Sequence, residues 1–169
     1  MKGDFGEIII ESHYGAISRL KHDASPAWAI TGKIDAVILH NAELPEEYRT
    51  DVIRKLSAVI FGREGQSIRY YMDDCGEGEH DWQAPEKHQV QHAIEWATGR
   101  DRLISACHAG ISRSSAIAYA IAASRVGAER ALVLIDPHKH WPNRLIVRHA
   151  SEILGLPEMN TLMDKRLGR

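Results

Sequence analysis

The stretch Ser105-Ala106-Cys107-His108-Ala109-Gly110-Ile111-Ser112-Arg113-Ser114 carries a thiol, a glycine and a guanidinium within one short turn. Leu103-Ile104 ahead of it reads as the start of a buried strand. Behind it, Ser115-Ala116-Ile117-Ala118-Tyr119-Ala120-Ile121-Ala122-Ala123 is alanine-rich and helix-prone. Strand, tight loop and helix in that order build a receptor for an anion. Loop N–H groups and the unpaired donors at the helix N-terminus converge on one concavity. Gly110 lets the loop curl where a Cβ would be penalised.

Five residues separate Cys107 from Arg113. That spacing predicts a sulfur at the floor of the cradle and a guanidinium at its wall. A thiol beside a helix N-terminus and a cation ionises more readily than a free one, and its thiolate is a strong nucleophile. Arg113 offers a planar fork of donors that matches two phosphate oxygens. A phosphoryl group is therefore expected to sit on Arg113 and the backbone of His108, Ala109, Gly110, Ile111 and Ser112, with Cys107 in line behind it. The plainer alternative is a buried cysteine in an ordinary βα turn.

Cys107-x5-Arg113, with Gly110 inside and Ser114 after the arginine, resembles the active-site loop of the protein tyrosine phosphatase superfamily, in particular its compact dual-specificity branch and bacterial relatives. The resemblance implies a protein-tyrosine-phosphatase-like domain that hydrolyses phosphotyrosine through a phosphocysteine intermediate. Phosphoserine and phosphothreonine are further candidate substrates. It implies no metal and no organic cofactor, and it gives Ser114 the task of hydrogen-bonding the sulfur and easing its departure. The family usually has His before the cysteine, where this chain has Ala106. That His orients the loop and tunes the thiol, so the departure bears on rate more than on reaction type. His108, one place later, is no ready substitute. Downstream, His138-Lys139-His140-Trp141-Pro142-Asn143 resembles the segment, a basic residue followed by x-Pro-Asn, that precedes the last helix in this branch. Asn143 is expected there as a helix cap or a tie to the loop. The likeness runs from Ile68 to Leu154; the residues before it match only in their α/β character.

A thiolate that attacks a phosphomonoester must expel an alkoxide or phenolate, and a positioned acid speeds this by roughly two to four orders of magnitude. The family draws that acid from an aspartate on a separate loop after a strand. Asp74 stands 33 places before Cys107, just past Ser67-Ile68-Arg69-Tyr70-Tyr71-Met72. Strand alternation puts Ile68, Tyr70 and Met72 on one side, and Asp74 with them. Asp73 beside it and Asp81 farther along the loop stay open as the acid. Ser115, and alternatively Ser112, suits a helix cap. Cys75 is either a small apolar filler or a disulfide partner that shields Cys107 from over-oxidation. Trp82, Trp96 and Trp141 belong either to the rim of the cleft or to the core.

With 169 residues the chain makes one domain over 1–169, long enough to bury a real core. A formal net charge of −2 gives no general affinity for polyanions, so nucleic acid is not indicated. The ten histidines are scattered, with no His-x-x-His or Cys-x-x-Cys pair, so no metal site is expected. Two cysteines make no disulfide scaffold. Ile8-Ile9-Ile10 is too short for a signal-peptide core, and Ala116 to Ala123 is too short to span a bilayer. A reducing cytoplasm is the expected location, and a phosphorylated protein or small phosphomonoester the expected partner, with no membrane. The loop carries no Lys between Cys107 and Arg113, which weighs against highly charged inositol phosphates. From another class comes a pseudophosphatase that binds phosphate without turnover. Arsenate reductases with a related loop carry it near the N-terminus, unlike this chain.

Strands are expected at Glu7 to Glu11, Ala27-Trp28-Ala29-Ile30, Ile34 to Leu39, Ser67 to Met72 and from Leu103. Ser12 suits the cap of a short helix that turns Ile17 and Leu20 inward. Tyr48, Val52, Leu56 and Val59 share one helical face after Pro45, ended by Gly62 and Gly65. Val90, Ala93, Ile94 and Ala97 form another stripe, stopped by Gly99. The loop helix runs to Arg125, a short helix follows Gly127, and a last one carries Leu145, Ile146, Ile153 and Leu154 to Gly155. Such alternation predicts an α/β fold, a mostly parallel central sheet flanked by helices, with the site at the carboxyl ends of the strands.

Overall fold

Side-chain alternation along Arg102–Cys107 (β4) divides the interior into two layers. Leu103 and Cys107 face a large core with Val37, Leu39, Tyr70 and Met72. Ile104 and Ala106 face a smaller one with Ala16, Ile17, Leu20, Ile34, Ala36 and Ile38. Both faces are covered, as near-continuous apolar runs in parallel strands require. These relations come from a computed structural model that describes residues 6–23, 34–42, 54–55, 66–76 and 83–169.

β1 (Glu7–Ser12), β2 (Asp35–His40) and β3 (Ser67–Tyr71) join β4 in a four-stranded parallel sheet of order β1-β4-β2-β3. The α/β expectation holds. β4 is interior, so the loop that follows it emerges between the ends of β1 and β2. At the opposite edge, ion pairs Arg102–Glu7 (2.8 Å) and Arg100–Asp35 (3.0 Å) lie beside the start of β4.

Helix α1 (His13–Asp23) covers the smaller layer, and Ser12 caps it by accepting the Gly15 N–H at 3.1 Å. On the other side lie α2 (Lys87–Trp96), α3 (Arg113–Val126), the single turn α4 (Ala128–Ala131) and α5 (Arg144–Leu154). α3 is buried from Arg113 through Ala123, and its alanines let it lie close against the sheet and α5. A 3-10 turn over Leu132–Leu134 ends the short helical segment after Gly127, and Gly155 closes α5 in the left-handed region at φ 64. One further helix, α6 (Met159–Leu167), lies beyond the elements expected from sequence and buries Met159 and Met163 in the large core. The expected strand Ala27-Trp28-Ala29-Ile30 lies outside the described residues. So does the helix bearing Tyr48, Val52, Leu56 and Val59, except that Arg54 and Lys55 are helical. Among the described residues no helix is long and apolar enough to cross a membrane.

Candidate active site

Cys107 ends β4 opposite Ser12 of β1, and α3 begins six residues later at Arg113. Cys107 is 2% exposed, and its sulfur lies 3.1 Å from Oγ of the fully buried Ser114. Beneath them, Ser105 Oγ donates to the Ser114 carbonyl at 2.8 Å. Gly110 has φ +74, and a Cβ there would lie 2.6 Å from the Glu11 carbonyl carbon and the Ser12 nitrogen. The loop is thus seated directly on the end of β1, and only glycine fits.

The loop carbonyls are taken up on one side. Ile111 O accepts from Trp141 N at 3.1 Å, and Ser112 O accepts from Ala116 N at 3.0 Å and Asn143 N at 3.3 Å. A planar trans peptide aims the next N–H the opposite way. The Ser112 and Arg113 amides therefore point away from those partners. Among the described residues no acceptor meets the N–H groups of Ala109, Gly110, Ile111 or Ser112. Neither serine caps α3, contrary to the sequence expectation. Ser112 Oγ donates to Asp74 Oδ1 at 2.7 Å, while Ser115 Oγ donates to the Ile111 and Ser112 carbonyls at 2.5 and 2.9 Å. Both hydroxyls act as donors, so the helix's first amides remain unspent.

Arg113 is 3% exposed. Nη1 donates to the Met72 carbonyl at 2.6 Å and Nη2 to Asn41 Oδ1, while among the described residues the buried Nε meets no acceptor. Among the described residues no carboxylate pairs with this cation. A buried charge faced only by neutral dipoles is costly, and an arriving anion relieves that cost. Asn41 was absent from the sequence reading; the signal that could have found it is its place just past β2, on the edge that carries Cys107.

The aspartates separate. Asp73 is 1% exposed, with Oδ1 accepting from Ala42 N and Oδ2 from Gln83 N, each at 3.0 Å. Both its oxygens are committed to backbone. Asp74 is exposed and reaches the loop, where Oδ1 accepts from Ser112 Oγ and, at 2.9 Å, from Asn143 Nδ2. Asp81 lies outside the described residues. Asn143 is both cap and tie: its Oδ1 accepts from Ile146 N at 3.1 Å at the start of α5. Cys75 and Cys107 are both buried, and no disulfide joins them.

Imidazoles that sequence reasoning did not assign surround the back of the loop. His13 is fully buried, and its Nε2 donates to the Leu39 carbonyl at 2.9 Å, while among the described residues Nδ1 has no partner. Its ring lies 5.0 Å from His40 and meets exposed His108 edge-on at 6.3 Å. Burial, aided by the neighbouring His108 and Arg113 charges and opposed by the Leu39 bond, lowers its pKa to about 4. His40 stacks on Tyr71 at 5.2 Å. Ala106, where the family that the loop resembles usually has His, packs in the small layer under α1. The positional signal is again clear in retrospect: His13 and His40 stand at the carboxyl ends of β1 and β2.

Trp141 is half-exposed, joined to the loop through its N–H, with its ring under the Arg169 guanidinium at 4.4 Å. With exposed Ile111 it forms an apolar edge beside the loop. Trp96 does not join that rim. It stacks on Arg100 at 3.9 Å, beside the amino end of β4, and Trp82 lies outside the described residues. A cleft of about 700 Å³ runs along β1 to Ala109, Gly110 and Ile111, but neither Cys107 nor Asp74 lines it. Among the described residues no group of His, Cys, Asp or Glu is arranged to hold a metal.

No protein-family model matches the chain, and no curated protein sequence does. Among solved structures the chain is similar to one described as "Crystal structure of Tk-PTP in the active form", at 19% identity over 95% of each chain with a TM-score of 0.48.

Proposed function

We propose that the chain is a cysteine-dependent phosphomonoesterase that acts on phosphotyrosine, with phosphoserine and phosphothreonine as further candidate substrates. One observation carries the reading: a buried guanidinium without a carboxylate partner among the described residues shares the start of α3 with a sulfur held 3.1 Å from Ser114 Oγ. The phosphoryl oxygens sit on Arg113 and the unspent amides of Ala109 to Ser112. Cys107 attacks phosphorus, the S–P bond forms, and the P–O bond to the leaving group breaks. Asp74 gives its proton to that departing oxygen. The resulting carboxylate then takes a proton from the water that attacks phosphorus, and phosphate leaves as the S–P bond breaks. Ser114 hydrogen-bonds the sulfur as negative charge returns to it. The apolar edge of Ile111 and Trp141 favours an aromatic over an aliphatic phosphoester, and the free thiol this chemistry needs suits a reducing compartment such as the cytoplasm.

Hydrolysis of p-nitrophenyl phosphate by the wild type and by Cys107→Ser tests this. Turnover by the wild type and none by the variant is expected; equal turnover by both removes the nucleophile. A second reading, a phosphate-binding pseudophosphatase, is favoured by the engagement of both Arg113 Nη atoms with Met72 and Asn41. Tight phosphate binding by a wild type without turnover would select it.

A further inference from the structure

We propose that Asn143, together with Ser112, is a positioning residue that fixes which oxygen of Asp74 carries the proton to be transferred. The inference rests on the phosphatase reading above and concerns how its acid is oriented.

Asn143 is 9% exposed and uses every hydrogen-bonding group it turns toward the site. Its orientation is set from behind. The start of α5 needs an acceptor for the Ile146 N–H, and Oδ1 supplies it at 3.1 Å. The amide nitrogen must then face the other way, where it donates to Asp74 Oδ1 at 2.9 Å and to the Cys75 carbonyl at 3.2 Å. Its backbone N–H donates to the Ser112 carbonyl at 3.3 Å. One residue thus joins the helix, the loop of Cys107 and the segment carrying the acid.

Ser112 Oγ adds a second donor to the same oxygen at 2.7 Å. A carboxylic acid has one acceptor oxygen and one hydroxyl oxygen. A proton on Oδ1 would meet the Asn143 amide, which can only donate, and would force Ser112 to turn from donor to acceptor, so the proton of the acid form resides on Oδ2. Among the described residues no donor meets Oδ2. The two donors also hold the carboxyl plane, so Oδ2–H is presented in one direction. After transfer, the carboxylate keeps both bonds and is ready to act as base. A second consequence concerns substrate range: orientation matters more as the leaving oxygen becomes more basic.

The test compares kcat/KM for p-nitrophenyl phosphate and phenyl phosphate, the latter with the more basic leaving oxygen. Asn143→Ser keeps a capping oxygen for α5 but is too short to reach Asp74. It is expected to slow phenyl phosphate by about ten-fold or more beyond its effect on p-nitrophenyl phosphate, a fraction of the full general-acid contribution. In an Asp74→Asn background the same substitution is expected to add nothing. Ser112→Ala, which leaves the α5 cap untouched, should produce the same selective loss and serves if Asn143→Ser does not fold. Equal losses on both substrates, or undiminished losses without Asp74, would overturn the assignment while leaving the phosphatase reading intact. A Cys107→Ser control that retains activity removes the phosphatase reading itself.

Discussion

The Arg113 guanidinium donates through Nη2 to the side-chain oxygen of Asn41, a residue 72 positions earlier in the chain. With the Met72 carbonyl on Nη1, this gives the cation two neutral partners and, among the described residues, no carboxylate. The pair fixes the fork's orientation through two of its five N–H donors. Asn41→Ala is expected to weaken phosphate or vanadate inhibition by about ten-fold, equivalent to about 1.4 kcal/mol. Asn41→Asp should weaken it further, because a carboxylate would occupy the guanidinium as a permanent internal anion. Inhibition constants for the two variants check the order. An Asp variant that binds oxyanions as tightly as the wild type contradicts it.

Asp73 and Asp74 are neighbours with opposite expected phenotypes. Asp74→Asn keeps the fold and lowers turnover by roughly two to four orders of magnitude, the usual worth of a general acid. Asp73→Asn turns an NH2 group toward either the Ala42 or the Gln83 amide, and is expected to cost about 1–3 kcal/mol of stability. Activity of the surviving folded fraction should stay near wild type. Thermal melts and turnover measured on both variants separate the two roles.

Gly110→Ala is expected to damage the loop more than its size suggests. The left-handed backbone costs a residue with a Cβ about 1–2 kcal/mol. The new methyl would also meet Glu11 and Ser12 backbone at 2.6 Å, and strand backbone cannot step aside as a side chain does. Loss of oxyanion binding together with a lowered melting temperature is the expected result. Normal inhibition by phosphate in this variant would show that the loop sits elsewhere.

His13 makes stability depend on pH. Its folded pKa of about 4 lies below the ordinary histidine value of 6.5, so the unfolded chain binds the extra proton between them. Stability is full above pH 6.5, falls as pH drops toward 4, and levels off below that. The total is on the order of 3 kcal/mol. His13→Gln should flatten this part of the curve, which denaturant titrations across the range can follow. A variant curve as steep as the wild type's would assign the slope to other groups.

Cys107, Gly110 and Arg113 were legible because they lie in one continuous turn, where spacing alone implies proximity. Asp74 was expected near the loop from alternation along β3; it meets Ser112 there, but past the strand's end at Tyr71 and with Asp73 buried between it and Met72. Asn41, His13 and His40 were not, because their closeness to the loop depends on the strand order β1-β4-β2-β3. Periodicity identifies a strand and is silent about its neighbour. Ser112 and Ser115 misled because a hydroxyl both donates and accepts, and only the nearby Asp74 and loop carbonyls decide which. Trp96 takes the second of the two places its residue type allowed, partly buried against the large core. Helix α6 escaped because its apolar positions, Met159, Leu162, Met163 and Leu167, are set among polar residues.

Helix α3 is at once the positive pole of the pocket and the centre of the large core, enclosed from Arg113 to Ala123. A pocket built on an enclosed helix has no independent way to fray, since opening its first turn means opening the interior around it. Heat should therefore abolish anion capture and the cooperative melt at the same temperature, with no inactive but folded interval before it.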